Sequence, residues 1–349
     1  MKEDLARCRA AGIKVVVITG DHKNTALAVS QLLGVTADLG PERVLTGAEL
    51  AGMSEQELAA AVERTVIYAR VDPEHKLTIV QALKKQGHVV AMMGDGVNDA
   101  PAIKHADIGV AMGIKGTDVA KEAAQMVLRD DSFRAVVAAV HEGRAIYDNI
   151  RKFILYLLSS NLGEVAILFL ALLIGFTDPA TGLFLLPVTA LQLLWINLLT
   201  DGLPALAMGV DPAAPDVMER KPRPRSSRLL NRGLFTDTAL TAGIMAAGVL
   251  LLFWMNLPQG AALATTAAFT GIVVFELFNV QSVRRKFRTG IRENKKVLLA
   301  VAASFLLQLA VIYAPPLQAA FDTVGLGLLD WAEILAVSLA GFLARLALL

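Results

Sequence analysis

Six long apolar runs occupy the second part of this 349-residue chain, and they constrain its fold more than any other feature. Each run is long enough to cross a hydrocarbon layer about 30 Å thick as a helix. The mean hydropathy of +0.54 is too high for an ordinary soluble protein of this size. The runs cover roughly residues 153–175, 184–208, 238–257, 262–282, 297–316 and 327–348. The sequence therefore predicts an all-α membrane bundle with six spans.

The loops between these runs alternate in basic charge. "RKPRPRSSRLLNR" (220–232) and "RRKFRTGIRENKK" (284–296) are rich in Lys and Arg, whereas "FTDPATG", "LPQG" and the stretch around "APPLQAAFD" contain none. Short cytoplasmic loops carry the excess of Lys and Arg, so the pattern predicts a multi-pass integral membrane protein with both termini in the cytoplasm. Buried helices of a large soluble protein, the alternative, would not produce this alternation. The basic residues beside membrane spans and the net charge of +1 indicate topology and not nucleic-acid binding.

Residues 1–132 have the charge mix of a soluble domain. Short β-branched runs alternate there with helical patterns such as 22–33 and 75–86, which is typical of an α/β domain with a parallel sheet. The predicted strands are "KVVVIT" (14–19), "TVIYA" (65–69), "HVVAMM" (88–93), "DIGVAM" (107–112) and "QMVL" (125–128). A helical stalk over 133–152 is expected to lead into the membrane domain, 153–349. Cys8 is the only cysteine and no two histidines have ligand spacing, so no disulfide or thiolate metal site is expected.

Ligands of parallel sheets gather at the carboxyl ends of the strands, where two motifs stand out. The first is "TGD", Thr19, Gly20 and Asp21, which offers a hydroxyl and backbone N–H groups before a helix. Such a turn suits a phosphate, although an ordinary capped turn explains it equally well.

The second motif, "GDGVNDAP" (94–101), is more specific. Asp95, Asn98 and Asp99 offer several oxygen ligands on one turn, as Mg²⁺ requires, and an Asx-rich turn without a metal is the alternative. Lys76, in "ARVDPEHK", can neutralise a phosphoryl group, or it can be a solvated surface lysine.

Three carboxylates stand within the first, second and fourth apolar runs, at membrane depth, where a charge costs at least about 2.5–3.5 kcal/mol. Together with nearby neutral side chains they form an oxygen-rich set that suits a hard cation such as Ca²⁺. Interhelical hydrogen bonds alone explain the neutral members but not three carboxylates together. The motif "DGLP" (201–204) is expected to loosen the second span. The set consists of Asn161, Glu164, Asn197, Thr200, Asp201 and Glu276.

The longer motifs resemble those of P-type ion pumps, whose phosphorylation domain is of the haloacid-dehalogenase type. The matching strings in the soluble part are "ITGD", "ARVDPEHK", "MGDGVNDAPAIKHADIGVAMG" and "VLRDDSF". "GRAIYDNIRKFILYLLSSNLGEV" and "LQLLWINLLTDGLPALAMG" resemble the fifth and sixth spans of the calcium-pump branch, as in sarcoplasmic and endoplasmic reticulum pumps.

The resemblance implies ATP as substrate, Mg²⁺ as cofactor and Ca²⁺ as the transported ion. It assigns Mg²⁺ to Asp95 with support from Asp99, and phosphoryl stabilisation to Thr19, Gly20 and Lys76. It also implies two calcium sites, with Asp201 shared between them and Glu276 in only one of them. A bacterial-type plasma membrane is the expected location.

One departure from the family is plain: no Asp-Lys-Thr-Gly-Thr string occurs in the chain. The resemblance then implies that the phosphoryl acceptor, the nucleotide and actuator domains and four further spans lie N-terminal to Met1. We expect this chain to be the C-terminal part of a pump and inactive without its N-terminal half. Three alternatives remain: a pump for Mn²⁺ or Na⁺, a membrane-tethered phosphatase, which would need an Asp-x-Asp motif that the chain lacks, and a non-catalytic scaffold.

Overall fold

The computed structural model describes residues 1–35 and 43–348, and these residues divide into two compact units. Unit 1 comprises Met1–Gly143 and Asp216–Ser227, and unit 2 comprises Arg144–Pro215 and Arg228–Leu349. The stretch 216–227, which contains part of the first basic loop, therefore groups with the N-terminal residues and not with the spans that flank it in sequence.

Unit 1 is an α/β unit, as the sequence predicts. Its strands are β1 (Val17–Ile18), β2 (Val44–Thr46), β3 (Ile67–Ala69), β4 (Ala91–Gly94), β5 (Ile108–Met112) and β6 (Met126–Leu128). Its helices are α1 (Lys2–Ala10), α2 (Lys23–Leu33), α3 (Gly47–Ala51), α4 (Glu55–Arg64), α5 (Pro73–Lys85), α6 (Ala100–His105) and α7 (Asp118–Ala123). All five predicted strands form, each within the predicted run or one residue from it.

The sixth strand, β2, was not predicted. It is short and leads directly into α3, whose N-cap Thr46 forms a capping box with Glu49. A three-residue strand next to a helix start gives too little alternation to be recognised from sequence.

The strands form two parallel sheets where the sequence predicted one. The first has the order β1-β3-β2 and the second has the order β4-β5-β6, so β1 and β4 each pair on one side only. Ile18 of β1 packs against the apolar cluster around Met92 and Ala111 of the second sheet as well as the cluster around Tyr68 of the first. Among the described residues of unit 1, four strands are therefore sheet edges: β1 and β2 in the first sheet and β4 and β6 in the second.

Unit 2 is helical. Its first helix, α8 (Phe133–Ile174), begins within the last residues of unit 1, at the predicted start of the stalk, and runs without interruption through the first predicted span. The others are α9 (Ala190–Trp195), α10 (Gly202–Met208), α11 (Arg232–Asn256), α12 (Ala261–Lys286), α13 (Lys295–Tyr313), α14 (Pro315–Phe321) and α15 (Leu328–Ala347). The apolar core lies around α12, whose side chains are mostly buried.

Five helical segments of the described chain are long and apolar enough to cross a membrane. They are Phe133–Ile174, Ala190–Met208, Arg232–Gln259, Ala261–Lys286 and Lys295–Tyr313. The predicted sixth span is helical over Leu328–Ala347 but carries Asp330, Glu333 and Arg345, and this charge content keeps it out of the set. The count of six spans is therefore not confirmed.

The second span is irregular, as the "DGLP" motif predicts, but the irregularity lies before the motif. Residues Ile196–Thr200 form a π-helical segment between α9 and α10, and the Asp201 N–H donates to the Ile196 carbonyl at 2.9 Å. Short π segments inside α-helices occur often at functional sites. Here the wider turn ends directly at Asp201.

Candidate functional site

Three buried carboxylates from three different helical segments meet inside unit 2. Glu164 comes from α8, Asp201 from the junction between the π segment and α10, and Glu276 from the middle of α12. One oxygen of each lies within 4.8 Å of the others, and the three residues are 6%, 0% and 1% exposed. The chain thus gathers three acidic groups where water does not reach them.

Most oxygens of these carboxylates have no hydrogen-bond partner. Within the described residues, Glu164 Oε1, Asp201 Oδ2 and both carboxylate oxygens of Glu276 are buried without a donor. Burying an ionised group without compensation costs several kcal/mol, so folded chains rarely do it three times in one place. A bound cation would compensate all three groups together.

The remaining two oxygens are held by neutral donors. The Tyr156 hydroxyl donates to Asp201 Oδ1 at 2.7 Å, and Asn197 Nδ2 donates to Glu164 Oε2 at 2.7 Å. Tyr156 is fully buried, whereas Asn197 is exposed. These bonds orient two of the carboxylates and leave their second oxygens free.

Thr200 and Asn161 differ in how they relate to this cluster. Thr200 is buried beside Asp201, but its hydroxyl donates to the Ile196 carbonyl and not to a carboxylate of the cluster. The Thr200 carbonyl accepts a hydrogen bond from the Ser304 hydroxyl at 3.0 Å. Asn161 is exposed, although it was predicted to share a face with the buried Glu164. A three-residue separation rotates a helical side chain by about 300°, and at the edge of a buried stripe this difference is enough to expose it.

The structure therefore brings together the three acidic members of the predicted set, with Asn197 in contact with one of them. Three carboxylates with free oxygens and no nitrogen or sulfur ligand suit a hard divalent cation such as Ca²⁺, which takes six to eight oxygens. The three residues cannot complete such a shell by themselves.

Sequence reasoning missed Tyr156. A signal was present, because Tyr156, Ser160 and Glu164 recur at every fourth position of α8 and so lie on one helix face. A tyrosine on the same helix face as a buried carboxylate is a candidate hydrogen-bond donor to the acidic cluster. Its actual partner, Asp201, lies on another helix and cannot be read from the spacing.

The predicted phosphate residues of unit 1 follow the carboxyl ends of two edge strands, β1 and β4, except for Lys76, which lies in α5. Thr19, Gly20 and Asp21 follow β1 and form a local turn, in which Thr19 Oγ1 donates to Asp21 Oδ2 at 3.0 Å and accepts from the Asp21 N–H. The space where a Gly20 side chain would stand is open. The turn is accessible to an anion.

At the end of β4, Lys76 and Asp99 form a close ion pair. Lys76 Nζ lies 2.5 Å from Asp99 Oδ1, and Asp99 Oδ2 accepts from the backbone N–H groups of Asp95 and Gly96. A Cβ on Gly94 would lie 2.5 Å from the Cβ of Asp99, so glycine is required at that position. Helix α5 begins at Pro73 and places Lys76 within its first turn, which directs the ammonium to this loop.

Asp95 and Asn98 are exposed on the same loop. In the described chain the Asp95 carboxylate accepts no hydrogen bond, so it is available to a metal ion and fits the preference of Mg²⁺ for carboxylate plus water. Of the predicted phosphate residues, the structure thus joins Lys76, Asp99 and the Asp95 backbone. Among the described residues the Thr19 turn makes no hydrogen bond to this group.

Comparison with known families gives two matches that follow the two parts of the chain. Residues 2–107 match the haloacid dehalogenase-like hydrolases, as do residues 75–140, and residues 185–348 match the C-terminus of cation-transporting ATPases.

Several curated proteins are similar over nearly the whole chain. A calcium-transporting ATPase of Bacillus subtilis (strain 168) is 44% identical over 344 residues, which is 97% of this chain and 38% of that protein. A calcium-transporting ATPase type 2C member 2 of Rattus norvegicus is 39% identical over 95% of this chain and 35% of that protein. A probable cation-transporting ATPase F of Mycobacterium tuberculosis is 42% identical over 96% of this chain and 37% of that protein. The chain is therefore similar to cation-transporting ATPases over nearly its whole length and spans little more than a third of the length of these relatives.

Proposed function

We propose that this chain acts as the C-terminal part of a P-type ATPase that transports Ca²⁺ across a membrane. The observation that carries the proposal is the cluster of Glu164, Asp201 and Glu276, three buried carboxylates on three helical segments with oxygens free to bind a cation. A cluster of this kind destabilises a fold that never binds a cation, so its presence is best explained by cation transport.

Calcium is the ion that the donor set favours. The free donors are carboxylate oxygens, and the π segment before Asp201 widens the backbone where the ion would sit. Ca²⁺ tolerates such an adaptable shell, whereas Mg²⁺ demands a near-octahedral one. Several relatives are calcium-transporting ATPases by name, and this supports the same ion here.

The remaining ligands would come from another part of the pump. Asn161 and Asn197 are exposed, and each lies within four residues of a clustered carboxylate along the chain. Polar side chains at membrane depth usually face a protein neighbour or a cavity and not lipid. We place a further span of the complete pump against this side. In this arrangement Asp201 serves both calcium sites and Glu276 serves one, as in the calcium-pump branch.

Unit 1 would supply the phosphoryl-transfer residues other than the acceptor. Asp95 would hold Mg²⁺ with Asp99 behind it, while Thr19, Gly20 and Lys76 would stabilise the phosphoryl oxygens. The metal supplies charge neutralisation when bound, and positioning and charge stabilisation account for most of the catalysis in this reaction class.

The acceptor aspartate would reach unit 1 from outside this chain. The open edges of β1 and β4 support this part of the proposal, because unpaired strand edges are sites where a further strand adds. A strand between them would place its carboxyl end beside Thr19 and Asp95, which are the residues at the ends of the two flanking strands.

We also propose that α15 is the sixth span. Of its three charges, Asp330 lies in the first turn and Arg345 near the last residue, so both lie at the helix ends. Glu333 accepts a hydrogen bond from Asn256, and Arg345 donates to Asp237. Both partners belong to α11, of which Asn256 is the last residue. This arrangement leaves an apolar middle and returns the C-terminus to the cytoplasm.

Equilibrium binding of radioactive Ca²⁺ to the whole chain in lipid nanodiscs tests the proposal. Saturable binding is expected, with water completing the shell where a further span would supply ligands, and it should be lost in Asp201→Asn. Glu333→Gln is the matched control, because it neutralises a carboxylate on a predicted span outside the cluster and should bind as the unchanged chain does. Competition by Mn²⁺ and Na⁺ in the same assay ranks the ions. Absence of saturable binding, or equal binding by Asp201→Asn, would overturn the proposal.

A further inference from the structure

A second buried ionic cluster in unit 2, centred on Asp211, lies apart from the three carboxylates of the cation cluster. Asp211 follows α10, and its side chain is fully buried. Its Oδ2 accepts from Lys152 Nζ at 3.1 Å and from Arg284 Nε at 3.0 Å, and its Oδ1 accepts from Asn294 Nδ2 at 2.8 Å. Both oxygens of this carboxylate are thus satisfied, in contrast to those of Glu276.

The two cations that contact Asp211 are also fully buried and make further hydrogen bonds. Lys152 Nζ donates to Asn149 Oδ1 at 3.1 Å and to Thr289 Oγ1 at 2.8 Å. Arg284 donates to the carbonyls of Gly290 and Ile291 and to the Gln281 side chain. We name Lys152, Asp211 and Arg284 with these neutral partners the Asp211 cluster.

The Asp211 cluster joins the same three chain segments that carry the cation carboxylates. Lys152 lies on α8 with Glu164, Arg284 lies on α12 with Glu276, and Asp211 follows the α10 segment that begins after Asp201. At 1.5 Å per residue, Arg284 lies about 12 Å along α12 from Glu276, and Lys152 about 18 Å along α8 from Glu164.

Charge–charge contacts fix this junction more narrowly than apolar packing would. A buried ion pair is a poor source of net stability compared with apolar side chains of similar volume, yet removing one partner is strongly unfavourable. Its hydrogen bonds also tolerate only a small range of distance and angle. Helices are stiff over a few turns, so a shift at one end of α8 or α12 is carried to the carboxylate on the same helix.

We infer that Asp211 is a positioning residue of the cation site: it fixes the relative placement of α8, α10 and α12 and thereby the spacing of Glu164, Asp201 and Glu276. The inference rests on the proposed function, since it assigns Asp211 a role in cation affinity. Asp211 does not touch the cation; it acts through the helices that carry the ligands.

Binding of radioactive Ca²⁺ to the whole chain in nanodiscs, measured together with its apparent unfolding temperature, tests the inference. Asp211→Asn should raise the dissociation constant by about two- to thirtyfold, the range found for residues that modulate a site without touching its ligand, while the number of ions bound per chain is unchanged. Asp211→Glu, which keeps the charge, should recover part of the affinity.

Asp237→Asn is the matched control. Asp237 is the carboxylate of another ionic cluster in unit 2, where it pairs with Arg345 and Lys286. That cluster includes Lys286 of α12 but no residue of α8 or α10, so it does not fix the spacing of the three carboxylates. Asp237→Asn should therefore lower the unfolding temperature without changing the Ca²⁺ dissociation constant. If Asp211→Asn does not fold, Asn294→Ala removes one hydrogen bond to Asp211 and no charge, and it should weaken binding by a smaller factor. It also removes the N-cap of α13 and a hydrogen bond to the Ala207 carbonyl, so its unfolding temperature is compared with that of Asp237→Asn.

The outcomes separate the inference from the proposed function. No saturable Ca²⁺ binding by the unchanged chain overturns both. Saturable binding that Asp211→Asn and Asn294→Ala leave at the original affinity overturns only the role of Asp211. An equal loss of affinity in Asp237→Asn would also overturn it, because any disturbed ionic cluster would then have the same effect.

Discussion

Neutralising Glu276 should stabilise the cation-free chain while it weakens cation binding. Both carboxylate oxygens of Glu276 are buried without a donor, and one lies within 4.8 Å of oxygens of Glu164 and Asp201. Glu276→Gln keeps the side-chain shape and removes one negative charge from this cluster. A packing or structural glutamate would give the opposite result, since replacing it normally costs stability.

The size of the effect follows from the separation of the charges. Two unit charges 4.8 Å apart at an effective dielectric constant of 20 repel by about 3.5 kcal/mol, and partial protonation of the cluster lowers this figure. A net gain of about 1–2 kcal/mol in the cation-free state is a reasonable fraction of that repulsion. This gain corresponds to a rise of several degrees in the unfolding temperature, since domains of about 150–250 residues shift by about 2–4 °C per kcal/mol.

In the cation-bound state the same change removes an ionised ligand. Since each 1.4 kcal/mol is a factor of ten in affinity, the loss of one charged ligand should raise the Ca²⁺ dissociation constant by at least about tenfold. Because a ligand that binds only the folded chain stabilises it by mass action, the Ca²⁺-dependent rise in unfolding temperature should shrink in parallel.

The assay is thermal unfolding of the chain in nanodiscs with a chelator and with excess Ca²⁺. Glu333→Gln is the control; its carboxylate has a donor in Asn256, so the substitution should leave the Ca²⁺-dependent shift unchanged and should not stabilise the cation-free chain. The reasoning is refuted if Glu276→Gln lowers the unfolding temperature in chelator, or if it keeps the full Ca²⁺-dependent shift.

Four further outcomes are expected. The chain alone should form no acid-stable phosphoenzyme from labelled ATP, and vanadate-sensitive ATPase activity of the purified chain would contradict this. In a complete pump that carries this chain as its C-terminal part, Asp95→Asn should abolish Mg²⁺-dependent phosphorylation but keep equilibrium Ca²⁺ binding, because the two sites lie in different units; a parallel loss of both would be inconsistent. Lys76→Met should destabilise the chain by about 1–3 kcal/mol in denaturant titrations, since it leaves the buried Asp99 carboxylate without its cation, and adding Asp99→Asn should recover part of the loss. Gly94→Ala should lower stability and phosphorylation together because its Cβ would displace Asp99, whereas Gly143→Ala, with open space at the Cβ position, should be neutral or slightly stabilising.

Much of the fold could be predicted from the sequence because its signals are local. Alternating β-branched runs located five strands of unit 1, and apolar run length located the long helices of unit 2. The three clustered carboxylates were recognised because a charge in an apolar run is conspicuous whatever its partner. The loosening of the second span was predicted from "DGLP", although the π segment Ile196–Thr200 lies directly before this motif.

The candidate site itself was only partly predicted. The six polar residues proposed from sequence were treated as one set, yet the structure brings together Glu164, Asp201 and Glu276, with Asn197 in contact with Glu164. Asn161 is exposed. The hydroxyl that holds Asp201 belongs to Tyr156 on another helix. A helix period tells which residues share a face, but not how that face is rotated against its neighbours.

The amino-acid sequence by itself determined which segments become helices or strands and which residues carry charge into the apolar region, because these depend on spacing along one segment. The tertiary structure alone decided the separation of the strands into two sheets with open edges at β1 and β4, and the choice of Asp211 as the partner of Lys152 and Arg284. Both are contacts between segments distant in sequence. Their geometry follows from how whole helices and strands pack, a property that no local pattern encodes.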